Sequence, residues 1–120
     1  LIENALAYVR YDSNSLSRGH VLVVPKRHVA SFFDLNPEEH AAINALLCQA
    51  QARIQAEHAP DGYNIGVNQG ADAGAGLVSH FHIHLVPRWQ GDTNFMPVLG
   101  GAKVISQSLQ KLYKELNPIL

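Results

Sequence analysis

The sequence predicts an α+β domain: a mainly antiparallel sheet with one long helix packed on it and a second helix closing the chain. Three observations carry this. Short β-rich runs come in pairs. One long stretch between the pairs has apolar residues at helical spacing. A similar stretch ends the chain, so the order is strand, strand, helix, strand, strand, helix.

Taken in order, residues 5–11 read as a strand, with Leu6, Tyr8, Val9 and Tyr11 supplying β-rich side chains. Residues 12–19 are rich in serine, asparagine and glycine and read as a turn. Residues 20–25 form a second strand, whose near-continuous apolar character predicts burial on both faces. The short connection makes the two an antiparallel hairpin. A helix starts at Asn36, a good N-cap, with Pro37 in the first helical position and Glu38-Glu39 in the first turn. Asn36 and Glu39 also have the spacing of a capping box. Ile43, Leu46, Leu47, Ala50 and Ile54 give one apolar stripe, and Pro60-Asp61-Gly62 marks the exit. Residues 63–68 make a third strand, 69–76 a glycine- and alanine-rich loop, and 79–87 a fourth strand of alternating pattern. Residues 89–101 are irregular. Ile105, Leu109, Leu112 and Leu116 predict a closing helix over 104–116, ended by Asn117-Pro118.

The chain has 120 residues, which suits a single domain with one core over 1–120. Nearly half of it is apolar, so a folded state is expected. The formal net charge is -1 with no block of like charge, which argues against a nucleic-acid binder but not against a small anionic substrate. One cysteine, Cys48, allows no intrachain disulfide and suggests a reducing cytoplasm. No apolar run approaches membrane-spanning length. The start at Leu1-Ile2 reads as the interior of a longer protein.

The run His80-Phe81-His82-Ile83-His84 carries the chemistry. Alternation along a strand puts its three imidazoles on one face and Phe81, Ile83 and Leu85 on the other. A neutral imidazole is a good nucleophile near pH 7, and a protonated neighbour can hold phosphate oxygens or protonate a leaving group. Alternate histidines also suit zinc or iron, so the face alone admits a metal-dependent enzyme. The small residues from Asn68-Gln69-Gly70 through Gly74-Ala75-Gly76 would let backbone N–H groups approach an anion. Arg88 suits a distal phosphate or a surface salt bridge. Trp89 and Phe95 suit adenine stacking or a dimer interface. His28, His40 and His58 read as surface histidines, and Lys26 and Arg27 as a solvated strand end.

The segment His80-Phe81-His82-Ile83-His84-Leu85-Val86 resembles the motif of the histidine triad (HIT) family. Arg18-Gly19-His20 followed by Val-Leu-Val-Val-Pro-Lys-Arg-His is similar to that family's glycine-histidine strand. Residues 87–95 resemble the branch containing fragile-histidine-triad-like dinucleoside polyphosphate hydrolases and diadenosine tetraphosphate phosphorylases. The resemblance implies the HIT-like fold and a homodimer. It implies cleavage of a nucleotide phosphoanhydride, in a hydrolase or nucleotidyl transferase, through a covalent nucleotidyl-histidine at His82. His84 then contacts phosphate oxygens, and His80 with His20 forms a supporting hydrogen-bonded pair. Asp12 takes the ribose hydroxyls, and Asn68, Gln69, Gly74 and Gly76 form the phosphate side of the substrate site. No cofactor or protein-held metal is implied, and magnesium carried by the substrate is allowed for. Two departures stand out. Gly74-Ala75-Gly76-Leu77 lacks the hydroxyl that many members carry before the triad, and the zinc-binding cysteines of some bacterial members are absent. A nucleoside phosphoramidate hydrolase and a nucleotide-binding module without turnover are the remaining readings.

Overall fold

The long helix is set by its first turn. In the computed structural model, which describes residues 2–12, 18–70 and 80–92, α1 runs Pro37–His58 behind the N-cap Asn36. The Asn36 side chain accepts from the Glu39 N–H at 2.8 Å, and Glu39 Oε1 accepts from the Asn36 N–H at 3.0 Å. This is the capping box that the sequence predicts, and it satisfies two backbone donors that a helix start otherwise leaves open. Arg27 locks the box from the sheet, donating from Nε and Nη2 to the two Glu39 oxygens at 3.0 and 2.7 Å. Arg27 is therefore an exposed strand-end residue, as expected, that also acts as a brace. Those bonds hold the Glu39 carboxyl below its ordinary value, with Arg27 the largest cause.

The strands are β1 (Ile2–Glu3), β2 (Ala7–Tyr11), β3 (Val21–Pro25), β4 (Gly62–Gly66) and β5 (Ile83–Arg88), and Phe32–Asp34 forms a 3-10 turn. They make one sheet in the order β1-β2-β3-β5-β4. Every neighbouring pair is antiparallel. The β2–β3 hairpin and the four main strands match the expected order, with shifted bounds. The two-residue β1 and the 3-10 turn are additions. The largest shift is in the last strand, predicted from residue 79 but paired only from Ile83. The chain before it leaves the ladder, and the Phe81 N–H donates instead to Val29 O at 2.6 Å. The closing helix over 104–116, the loop glycines Gly74 and Gly76, and Phe95 lie outside the described residues.

One face of the sheet is the core. Val9, Val21, Val23, Ile83 and Leu85 pack against Ile43, Leu46, Ala50 and Ile54 of α1. Burying these side chains contributes roughly 1.5–3 kcal/mol each for the larger ones. A cavity of about 50 Å³ lies on this helix side, lined by Val9, Tyr11, Gly19, Val21, Ile54 and His58 among others. His40 and His58 are half-buried rather than solvent-facing: His40 meets Phe32 edge-on, and His58 sits against Gly19. Gly19 is required there. Its φ is +81°, and a Cβ would stand 3.2 Å from His58 and 3.3 Å from Pro87. Among the described residues no helix is long and apolar enough to cross a membrane.

Candidate functional site

The other face of the sheet carries the imidazoles. Residues 20, 22 and 24 share it with 84 and 86, because Leu22 pairs with His84 across the β3–β5 ladder. Of the three alternating histidines, only His84 lies within a strand. The side chains still alternate: Phe81, Ile83 and Leu85 are buried in the core, and His80 and His82 are half-buried.

β5 runs antiparallel to β3, so each histidine meets a different part of β3. His84 meets the start. Its Nδ1 is 2.9 Å from His20 Nε2, and both residues are buried. Asp12 Oδ2 lies 3.4 Å from the same His20 nitrogen and 3.9 Å from His84 Nδ1. A carboxylate beside His20 Nε2 favours a proton on that nitrogen. His20 then donates and His84 Nδ1 accepts, which leaves the His84 proton on Nε2. Burial is the first cause that pushes His84 down, to about 4, with His82 and His20 adding to it. Burial likewise lowers His20, against the pull of Asp12. His84 is thus a neutral N–H donor near pH 7, not the protonated neighbour that the sequence admits.

His80 meets the far end of β3. Its Nε2 donates to Pro25 O at 2.9 Å, and its ring stacks on His28 at 4.2 Å between centroids. The expected His20–His80 pair is therefore corrected: His20 pairs with His84, and His80 braces the exit of β3. The register explains it. Residue 80 falls beyond the last β3–β5 pair, Val23 with Ile83, whereas His20 precedes the first, Val21 with Leu85.

His82 sits between them. Its Nδ1 is 3.1 Å from the His80 carbonyl oxygen. A carbonyl only accepts, so Nδ1 carries the proton and Nε2 keeps the lone pair. The ring lies edge-on to His84 at 5.0 Å. A lone pair on one ring beside an N–H donor on the next is what attack on a phosphorus centre requires.

The remaining expected residues are placed less uniformly. Asn68 is half-buried, two residues past Gly66, the partner of His84. Gln69 accepts from the Phe32 N–H at 2.9 Å and donates to Ala30 O at 3.2 Å, so it clamps the loop after β3. Arg88 pairs with Asp92 at 2.8 Å and donates to Asn64 at 2.7 Å, the salt-bridge alternative. The three triad imidazoles do not converge on one point, since His80 Nε2 and His82 Nδ1 both bond backbone oxygens. Cys48, the only cysteine, is exposed on α1, so this chain offers no pair of thiolates for zinc. No sequence pattern marks the Arg27–Glu39 lock or the His28–His80 contact; the run Pro25-Lys26-Arg27-His28 holds one partner of each, and only the fold supplies the other.

The pattern of the HIT domain matches residues 1–91. An AP-4-A phosphorylase of Mycobacterium tuberculosis is 41% identical over 105 residues, 88% of this chain and 54% of that protein. The chain thus spans about half the length of that relative. The asymmetrical bis(5'-nucleosyl)-tetraphosphatase of Schizosaccharomyces pombe is 38% identical over 74 residues, 62% of this chain and 40% of that protein. The crystal structure of a HIT family protein from Bacillus anthracis superposes with a TM-score of 0.78 at 31% identity, covering 99% of this chain and 80% of that one.

Proposed function

The chain belongs to the HIT domain family, and from that premise we propose that it cleaves the phosphoanhydride of dinucleoside polyphosphates through a covalent intermediate on His82. The observation that supports this reading most is the His82 tautomer: Nδ1–H bonded to the His80 carbonyl, Nε2 carrying the lone pair. The named activities of the Mycobacterium tuberculosis and Schizosaccharomyces pombe relatives support the substrate class.

In the proposed reaction, His82 Nε2 attacks the α-phosphorus. A P–N bond forms, and the P–O bond to the leaving nucleotide breaks with its electron pair. The leaving nucleotide departs as an anion. His84 Nε2–H donates to a phosphate oxygen as charge builds there, its Nδ1 side held by His20. Water or inorganic phosphate then attacks phosphorus; a P–O bond forms, the P–N bond breaks with its electron pair returning to His82 Nε2, and the proton of the attacking group passes to solvent. His80 acts by position: its ring braces β3 and its carbonyl orients His82. Asn68 takes the phosphate side, with Gly74 and Gly76 as its loop partners. The reading calls for no cofactor held by the protein, and magnesium would arrive with the polyphosphate. A homodimer in the cytoplasm is part of the same proposal.

Incubation with diadenosine tetraphosphate, with and without phosphate, tests it. AMP without phosphate indicates hydrolysis, and ADP formed only with phosphate indicates phosphorolysis. His82→Asn should lower either activity by at least about 10³-fold. Turnover surviving in that variant would sink the covalent reading. A wild-type protein inert on this substrate but active on adenosine phosphoramidates would move the substrate class.

A further inference from the structure

Three possible ligand atoms converge at the start of β3. His84 Nδ1 stands 2.9 Å from His20 Nε2, and Asp12 Oδ2 stands 3.4 Å from it. With the remaining separation of 3.9 Å, the three atoms define a triangle. The circle through its corners has a radius of about 2.0 Å, the Zn–N and Zn–O bond length. The three separations average about 3.4 Å, the edge of a tetrahedron with bonds of about 2.1 Å.

We propose that Asp12, His20 and His84 form a binding site for a divalent transition metal, with zinc the best-fitting ion, and that occupancy inhibits the enzyme. Two imidazoles and one carboxylate are a donor set zinc accepts, with water or an anion in the fourth position. The side-chain exposure rises from His20 (0%) through His84 (8%) to Asp12 (17%), so solvent reaches the trio past Asp12. Binding displaces the shared proton and turns each imidazole lone pair by roughly 45° off the His20–His84 line, a rotation metal coordination must offset. The stacked His28–His80 pair is the poorer site. Its rings lie 4.2 Å apart at 35°, and His80 Nε2 is bonded to Pro25 O. Inhibition follows because the metal takes His84 Nδ1 from His20 and turns the His84 ring out of the orientation in which its Nε2–H meets the phosphate; this half rests on the proposed reaction, while the binding half does not.

The test uses the full chain stripped with a chelator and titrated with Co²⁺, then with Zn²⁺. The expected result is a visible band of four-coordinate cobalt saturating at one equivalent and bleached by zinc. Asp12→Asn and His20→Gln should each weaken binding by at least about tenfold, and His28→Gln should leave it intact. His20 is buried, so circular dichroism of that variant accompanies the titration and Asp12→Asn carries the comparison if it fails to fold. No cobalt band, or a band lost in His28→Gln and kept in Asp12→Asn, would overturn the site. Zinc should also suppress diadenosine tetraphosphate turnover with the concentration dependence of the titration. Binding without suppression would overturn the inhibitory half alone. A protein without turnover on any nucleotide would count against the proposed function while the spectra still decide the site.

Discussion

β3 is short, and its two ends do opposite work. At its exit, Arg27, Glu39 and Asn36 close a set of four bonds between 2.7 and 3.0 Å, and polar atoms are satisfied several times over. At its start, two buried imidazoles meet at 2.9 Å, with the Asp12 carboxylate at longer range. The exit fixes where the helix begins. The start gathers the buried imidazoles and the Asp12 carboxylate in one place. The difference shows how one strand separates stability from reactivity, and the triad runs alongside it from one end to the other.

Four changes test that division, the largest first. His20→Ala should lower stability by about 3–4 kcal/mol, from the cavity and the His84 Nδ1 left without its donor, and turnover should fall with it. Chemical denaturation and steady-state rates would show both losses; a loss of stability alone would separate the start of β3 from the chemistry. Glu39→Ala should lower stability by about 2–3 kcal/mol through the broken capping box, with turnover per folded molecule unchanged. Reduced turnover in folded Glu39→Ala would mean the exit is not merely structural. Gly19→Ala should destabilise by about 1–2 kcal/mol, since its backbone is left-handed and its Cβ crowds His58 and Pro87.

The smallest effect is acid sensitivity. The Glu39 carboxyl is lowered in the fold from its ordinary 4.5, so the unfolded chain takes up its proton first. The stabilisation is fully present above 4.5 and is lost as pH falls through the depressed value. The melting temperature of the wild type, followed from pH 7 to about pH 3, should drop more steeply below 4.5 than that of Glu39→Gln. Parallel curves would remove Glu39 from the acid response.

Local signals were legible and long-range ones were not. The Asn36–Glu39 capping box is a contact over three residues, so its spacing alone predicts it. The β2–β3 hairpin and the apolar face of α1 are periodic and equally readable. β1 is two residues long and too short to show a period. The alternation of His80, Phe81 and His82 reads as strand, although its backbone is held by a loop carbonyl rather than a ladder. The partner of His20 depends on the β3–β5 register, which relates residues 64 apart, and no spacing in the sequence expresses it. The triad itself was legible in full. What the fold added was the separate partner of each member.

The bond from His82 Nδ1–H ends on a main-chain oxygen, that of residue 80. Every amino acid supplies that atom. The proton on the His82 ring is therefore placed by something no codon change at position 80 can delete, and substitution there would disturb the brace on Pro25 while leaving an acceptor in reach of the proposed nucleophile. A saturation library at residue 80 should for that reason return graded activities, where the same library at residue 82 returns nearly none.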